Sequence, residues 1–210
     1  MTTPARARGP QGELRPQDFY LLAGGAVLPR PIAWISTVSA AGVPNLAPFS
    51  FFSIASIDPP VLAFSHINRR DGRDKDTLVN LREQRECVVH TVAYAQAEAM
   101  NRSSAELPPE CDEIALAGLA TTSSRHVAPP SLRDAAVRFE CRLREIVDFG
   151  PHAHAGRLVL LDVVEVVLDP AVLDERGRID GARLDVIGKL AGDSYCATRA
   201  PFVMARPVAA

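Results

Sequence analysis

Apolar and polar residues alternate with a period of two along much of the chain, in short stretches separated by turn-forming residues. Ile32 to Val38 puts Ile32, Trp34, Ser36 and Val38 on one face of an extended segment and Ala33, Ile35 and Thr37 on the other. Ser39-Ala40-Ala41-Gly42 then supplies a turn. Asn45 to Ile54 is aromatic and extended, but it contains Pro48 and follows Pro44. Proline has no N–H for a ladder, so this stretch is expected at a sheet edge or a bulge. Asp58-Pro59-Pro60 turns the chain again before a third strand, Val61 to Ser65. Cys87 to Val92 reads as another strand. Val137 to Val147 points Val137, Phe139, Cys141 and Leu143 inward and Arg138, Glu140, Arg142 and Arg144 outward. Leu158 to Leu168 is apolar on both faces, as a central strand is, and Phe149 to Gly156 joins the two as a hairpin loop.

Helical signals are fewer. Phe19 to Gly25 is short and ends on glycine, and Ala95 to Met100 reads as a short helix. After the polar loop Ile67 to Asp74, Asp76-Thr77 opens a helix with Leu78 and Leu81 three apart, and Asp76 is the expected N-cap. Pro108 to Pro130 is mostly loop, with a short strand expected near Ile114 to Leu119. Asp174 to Gly181 is turn-like, and Val186 to Tyr195 closes the ordered part. The meander of the first half is the local grammar of an antiparallel barrel, not of alternating βαβ units. The expected division is a flexible lead over 1–18, one domain over 19–196 and a tail over 197–210.

Composition narrows the function classes. With 210 residues, 47% apolar and 23% charged, the chain has the makings of one ordinary globular core. A formal net charge of -2 and no basic block leave out the electrostatic footprint of a nucleic-acid binder. Cys87, Cys111, Cys141 and Cys196 stand too far apart for a CxxC metal or redox pair and read as reduced thiols. The arginine-bearing opening lacks the apolar core of a secretory signal, and no apolar run is long enough to span a bilayer, so a cytoplasmic protein is expected. GxGxxG, GxxxxGK[ST] and GxSxG are absent, which leaves dinucleotide-fold, P-loop and hydrolase-elbow readings without support.

The candidate chemistry lies in Ser36-Thr37, Asn45 through Phe52, Ser65 and Lys75-Asp76-Thr77 with Asn80. Asn45, Pro48, Ser50 and three phenylalanines, Phe49, Phe51 and Phe52, give a pocket with a polar rim and an apolar wall. That suits a flat heteroaromatic ligand with a polar edge. Lys75 and Thr77 at the first turn of a helix add a cation, a hydroxyl and free N–H groups, which attract a phosphate. A cation at that end faces the unfavourable end of the helix dipole, and an anionic ligand accounts for it better than stability does. Each residue also has a plainer use. The phenylalanines are open to being core, Ser36, Thr37 and Ser65 to bonding local backbone, and Arg69, Arg70 and Arg73 to being a charged loop or a phosphate aid. His152 and His154 share a face if extended but have no third ligand, so no metal is expected. His66, His90 and His126 are lone histidines, with His126 in a loop able to reach a site.

The run Pro29-Arg30-Pro31-Ile32-Ala33-Trp34-Ile35-Ser36-Thr37, with Pro44 through Phe52, Asp58-Pro59-Pro60 and Lys75-Asp76-Thr77, resembles the flavin reductase-like, FMN-binding split-barrel family. The likeness extends from about Tyr20 to Tyr195. It implies a mainly β, six-stranded antiparallel split barrel with a few short helices, dimeric, with FMN near the subunit interface. It also implies that Asn45 to Phe52 line the flavin ring, while Ser36, Thr37, Ser65, Lys75, Asp76 and Thr77 surround the ribityl and phosphate groups. The function it implies is NAD(P)H-dependent flavin reduction with NADH or NADPH as donor, with a possible monooxygenase partner. The alternatives are an FMN-binding electron carrier without direct NAD(P)H activity, or the same pocket turned to another substrate. No protein acid or base is obligatory for hydride transfer, so no catalytic residue is assigned.

Overall fold

A computed structural model of the chain describes residues 14–69, 71 and 73–207. The sheet is built from β1 (Ala33–Val38), β2 (Pro44–Phe49), β3 (Phe52–Ser56), β4 (Val61–Ile67), β5 (Glu86–His90), β8 (Val137–Asp148) and β9 (Gly156–Leu168). These seven strands are antiparallel neighbours in the order β2-β1-β5-β8-β9-β4-β3. The expected count of six is corrected to seven, because the single stretch Asn45 to Ile54 divides at Ser50-Phe51. Its first part pairs with β1 at one edge of the sheet, and its second pairs with β4 at the other edge. Two strands joined by two residues cannot lie on opposite edges of a flat sheet, so the sheet curls until its edges meet. Pro48 sits on β2 opposite Trp34, on an edge strand, where its missing N–H costs no ladder bond.

Alternation along β1 separates two cores. Ala33 and Ile35 face the barrel interior with Phe49, Leu62, Phe64, Val89, Cys141 and Leu161. Ile32 and Trp34 face outward into a second cluster with Leu46, Met100, Ile114 and Ile187. Helix α2 (Asp76–Gln84) sends Leu78 and Leu81 into the barrel core, where both are fully buried. Helices α3 (Ala97–Arg102) and α4 (Glu113–Leu116) and the strands β7 (Ser131–Leu132) and β10 (Ile187–Lys189) contribute to the outer cluster; β6 (Thr121–Thr122) pairs with β7, β11 (Tyr195–Ala197) pairs with β10, and helix α5 (Gly181–Leu184) precedes β10. Helix α1 (Pro16–Ala26) begins inside the expected lead, whose residues Met1–Glu13 lie outside the described ones. Among the described residues, no helix is long and apolar enough to cross a membrane, and no cluster of metal-ligating residues appears.

Three further expectations are corrected. The strand near Ile114 to Leu119 is helix α4, started by the Asp112 carboxylate, which accepts from the N–H groups of Ile114 and Ala115 at 2.8 and 3.1 Å. Lys75, not Asp76, occupies the N-cap of α2, in extended backbone with no side-chain cap. Glu140 keeps the outward face of β8, opposite the core residues Phe139, Cys141 and Leu143, but it is buried there instead of exposed, because the loop carrying Arg125 and His126 closes over it. Its carboxylate accepts from the N–H groups of Arg125 and His126 at 2.8 and 2.6 Å, which pins the loop carrying His126.

His90 is wholly buried between two backbone groups. Its Nδ1 lies 2.8 Å from the Trp34 carbonyl, and its Nε2 accepts the Leu132 N–H at 2.9 Å. Burial lowers its pKa to about 4, and burial likewise lowers that of His66 to about 4. The unfolded chain, titrating near 6.5, therefore binds more protons than the folded one between those values. Stability is full above about pH 6.5 and falls as the pH drops toward 4, by on the order of 3 kcal/mol for His90. The urea midpoint at pH 5 is expected below that at pH 7. Equal midpoints would show that neither histidine is held neutral by the fold.

Candidate functional site

The loop from β4 to α2 builds a cationic corner. The Lys75 N–H donates to His66 Nε2 at 3.0 Å, and its carbonyl accepts from Leu78 and Val79 at 2.9 and 3.2 Å. The N–H groups of Asp76 and Thr77, in the first turn, are left without a helical partner. The Lys75 ammonium lies 5.4 Å from the Phe49 ring and takes no part in the ion pairs around it among the described residues. Burial, and next to it the Arg69 charge, lower its pKa from the usual lysine value. Arg69 stands at the loose end of ion-pair range, 3.8 Å from Asp76 and 4.0 Å from Glu106, and its Nε is buried without a hydrogen-bond partner. Two cations held together with weak counter-charge and free N–H groups fit an oxyanion.

The corner is braced from behind. Arg157, buried on β9, donates to Asn68, to Asp74 at 2.7 Å and to Asp148 at 3.1 Å, and Arg82 of α2 also pairs with Asp74. Both ends of the loop are thereby tied to the barrel.

Beneath the corner lies a closed polar knot. Asn45 Oδ1 accepts from Thr77 Oγ1 at 2.8 Å and from Thr37 Oγ1 at 3.4 Å, while Asn45 Nδ2 donates to Glu113 at 3.1 Å. Asn80 donates to Thr37 at 3.0 Å, and the Leu46 N–H donates to the same Glu113 oxygen as Asn45, at 3.1 Å. Burial is the largest influence on the Glu113 carboxyl and raises its pKa, against the hydrogen bonds it accepts. Four elements, β1, β2, α2 and α4, are joined through these side chains.

A groove runs from the corner along the break in the sheet. Its corner section, about 70 Å³, is lined by Asn45, Pro48, Lys75, Asp76 and Thr77 with Arg69, Glu106 and Glu113. The next, about 270 Å³, is lined by Pro48, Phe49, Ser50, Phe51, Ser65 and Lys75, with Tyr20 over the top. A third, about 370 Å³, shares Ser50, Phe51 and Ser65 and adds Phe52, Arg30, Ala23 of helix α1 and Val27 at the helix's C-cap. Shared walls make the three continuous, charged at one end and apolar at the other.

Ten of the twelve expected residues therefore line one groove, and two do not. Ser36 is fully buried on the outer face of β1, donating to the Pro130 carbonyl at 2.7 Å, because alternation turns it away from Thr37. Thr37 is buried in the knot beneath the groove. Within the groove, roles differ from expectation. The Thr77 hydroxyl hydrogen is committed to Asn45, so its N–H and not its hydroxyl is available to donate to an anion. Phe49 is mainly core, 4.7 Å from Phe64 between ring centres. Phe51, two residues on and past the break, presents its ring to the groove between Tyr20 and Arg30, at 6.4 and 5.8 Å. Glu113 and Tyr20 were not marked by the sequence as site residues, and Arg30 stood out only within the run Pro29 to Thr37; Asn80 was marked, and it serves the knot through Thr37. An asparagine and a glutamate 68 residues apart carry no spacing signal that would join them.

Residues 25–183 match the family model described as "Flavin reductase like domain". The uncharacterized protein YwrF of Bacillus subtilis is 38% identical over 93% of this chain and 96% of its own. The crystal structure of nitrilotriacetate monooxygenase component B from Bacillus cereus superposes with a TM-score of 0.88 at 32% identity, covering 97% of this chain and 100% of that one. That of the Pseudomonas fluorescens 2-nitrobenzoate 2-nitroreductase NbaA gives 0.82 at 29% identity, covering 92% and 93%.

Replacing Asn45 by alanine leaves Thr77, Thr37 and Glu113 short of partners in a buried knot. Asn45→Ala is expected to lower stability by about 2–4 kcal/mol in urea unfolding. A loss under about 1 kcal/mol would mean the knot is not a structural joint.

Proposed function

The chain belongs to the flavin reductase-like domain family, and from that premise we propose that it is an FMN-binding oxidoreductase that accepts hydride from NADH or NADPH. The observation that carries this reading is the pairing of Lys75 and Arg69, weakly countered, at the charged end of a groove whose other end is apolar. Lys75, Arg69 and the N–H groups of Asp76 and Thr77 would hold the phosphate. Pro48, Ser50, Phe51 and Ser65 would flank the ring, with Ser50 and Ser65 as polar edge groups. FMN, when bound, supplies the hydride-accepting chemistry, and the protein supplies position and electrostatics. The apolar section beside Phe51, Phe52 and Arg30 leaves room for a second flat ring against the first. With both rings in place, its mostly apolar lining would leave little room for water between them, which favours transfer between stacked rings over loss to solvent. Reduced flavin would then pass to a second component, a reading supported by the likeness to a monooxygenase component B.

We also propose a homodimer. Leu21 on α1 is 68% exposed, and Ile54 and Ile57 on and after the edge strand β3 are 65% and 80% exposed. Leu21 and Ile54 belong to α1 and β3, elements whose Ala23, Phe52 and Ser53 line the groove, and a second copy would bury these exposed apolar residues. Sedimentation at micromolar concentration is expected to give twice the chain mass, and a monomer would contradict it.

Two measurements test the flavin reading. Protein mixed with FMN and either NADH or NADPH is expected to oxidise one of them, and no turnover with either would remove the reductase assignment. Lys75→Ala removes one charge-assisted bond, worth about 1.5–3 kcal/mol. FMN binding should weaken roughly tenfold to a hundredfold by that cost, and unchanged affinity would place the phosphate elsewhere. Thr77→Val, by contrast, is expected to act on stability before affinity, since its hydroxyl serves Asn45.

A further inference from the structure

Resting on the flavin reading above, we propose that the segment Ser103–Leu107 makes the phosphate end of the groove selective for a flavin mononucleotide over a flavin dinucleotide. Size points first in this direction. The corner section measures about 70 Å³, room for about five water-sized groups. That suits a terminal phosphate, whereas a diphosphate carrying a second nucleoside would have to run on past the Ser103–Leu107 wall. The two sections farther along, at about 270 and 370 Å³, are the ones able to take rings.

The far wall is also fixed. It continues from the end of α3, and Ser103, 3% exposed, ties it to the barrel. The indole N–H of Trp34 donates to the Ser103 hydroxyl at 2.8 Å, and that hydroxyl donates to the Met100 carbonyl at 2.8 Å. The N–H groups of Ser104 and Ala105 donate to the carbonyls of Asn101 and Arg102 at 3.1 and 3.3 Å. Swinging the wall outward would leave the buried indole without its partner, a cost that a longer ligand would have to overcome.

Charge acts in the same sense. A phosphate monoester near neutral pH carries about -1.5 to -2 charges, which Lys75 and Arg69 together balance. Arg69 is already shared by Asp76 and Glu106, and among the described residues no third cation lines the section. A second phosphate extending past the first would reach the wall where Glu106 stands, its carboxylate 4.0 Å from Arg69. It would meet like charge there, offset among the described residues only in part by Arg73, which feels the Glu106 charge but is exposed and paired with Asp71.

Titration of the full chain with FMN, FAD and riboflavin, followed by quenching of flavin fluorescence, tests the assignment. FMN is expected to bind at least tenfold more tightly than FAD. In Glu106→Ala, whose exposed side chain contributes little to folding, that gap is expected to narrow at least threefold. FAD binding within threefold of FMN in the native chain, or a gap unchanged in the variant, would overturn it. Binding of none of the three, riboflavin included, would instead defeat the flavin reading itself, so the two failures are distinguishable.

Discussion

The stretch Pro44–Ser56 lies on both edges of one sheet, and most of what is distinctive here follows from that constraint. With β2 paired to β1 and β3 paired to β4, the sheet must curl, and Ser50-Phe51 becomes the seam where its edges meet. The Ser65 N–H closes the seam by donating to the Phe51 carbonyl at 2.8 Å. A barrel seam has an inside and an outside. Phe49 enters the core on one side of it, and Phe51 faces the groove on the other. The groove exists because the strand breaks there: a continuous strand would have kept Phe49 and Phe51 on one face.

The charged corner depends on the same arrangement at one remove. Helix α2 plugs the barrel with Leu78 and Leu81, which fixes its N-terminus beside the end of β2. Asn45 locks the two together through Thr77 and recruits Glu113 from α4. Lys75 and Arg69 are thus held near each other mainly by bonds of the backbone and of neighbouring side chains, to which the Arg69 guanidinium adds only its loose pairs with Asp76 and Glu106. Holding two like charges together in a partly buried corner is costly. The fold bears that cost through hydrophobic burial of the helix and the Arg157–Asp74 brace, and an arriving anion relieves it.

Local alternation made the strands and the two faces of β1 legible from the sequence, and Leu78 and Leu81 announced the buried side of α2. Features that depend on distant partners were not legible in this way. The division of Asn45 to Ile54 leaves no mark beyond Pro48, because a change of pairing partner is a property of the whole sheet. Glu140 is buried on the outward face of β8 by a loop that closes over it, and no residue within β8 announces that loop. Ser36 and Thr37 lie adjacent in sequence, and the resemblance implied a shared role, yet strand geometry puts them on opposite faces. Asp76 has the composition of a cap, but Lys75 takes that place because its N–H is claimed by His66 from β4.

The central claim is that the lysine and arginine at the head of α2 receive a phosphate whose attached ring lies along Phe51. A crystal structure of the protein grown with FMN tests it most directly. The phosphorus should lie within direct hydrogen-bonding reach of Lys75 and Arg69, with the ring between Phe51 and Ser65. Flavin density at another place on the barrel, or a groove closed by the protein's own side chains at saturating FMN, would contradict it.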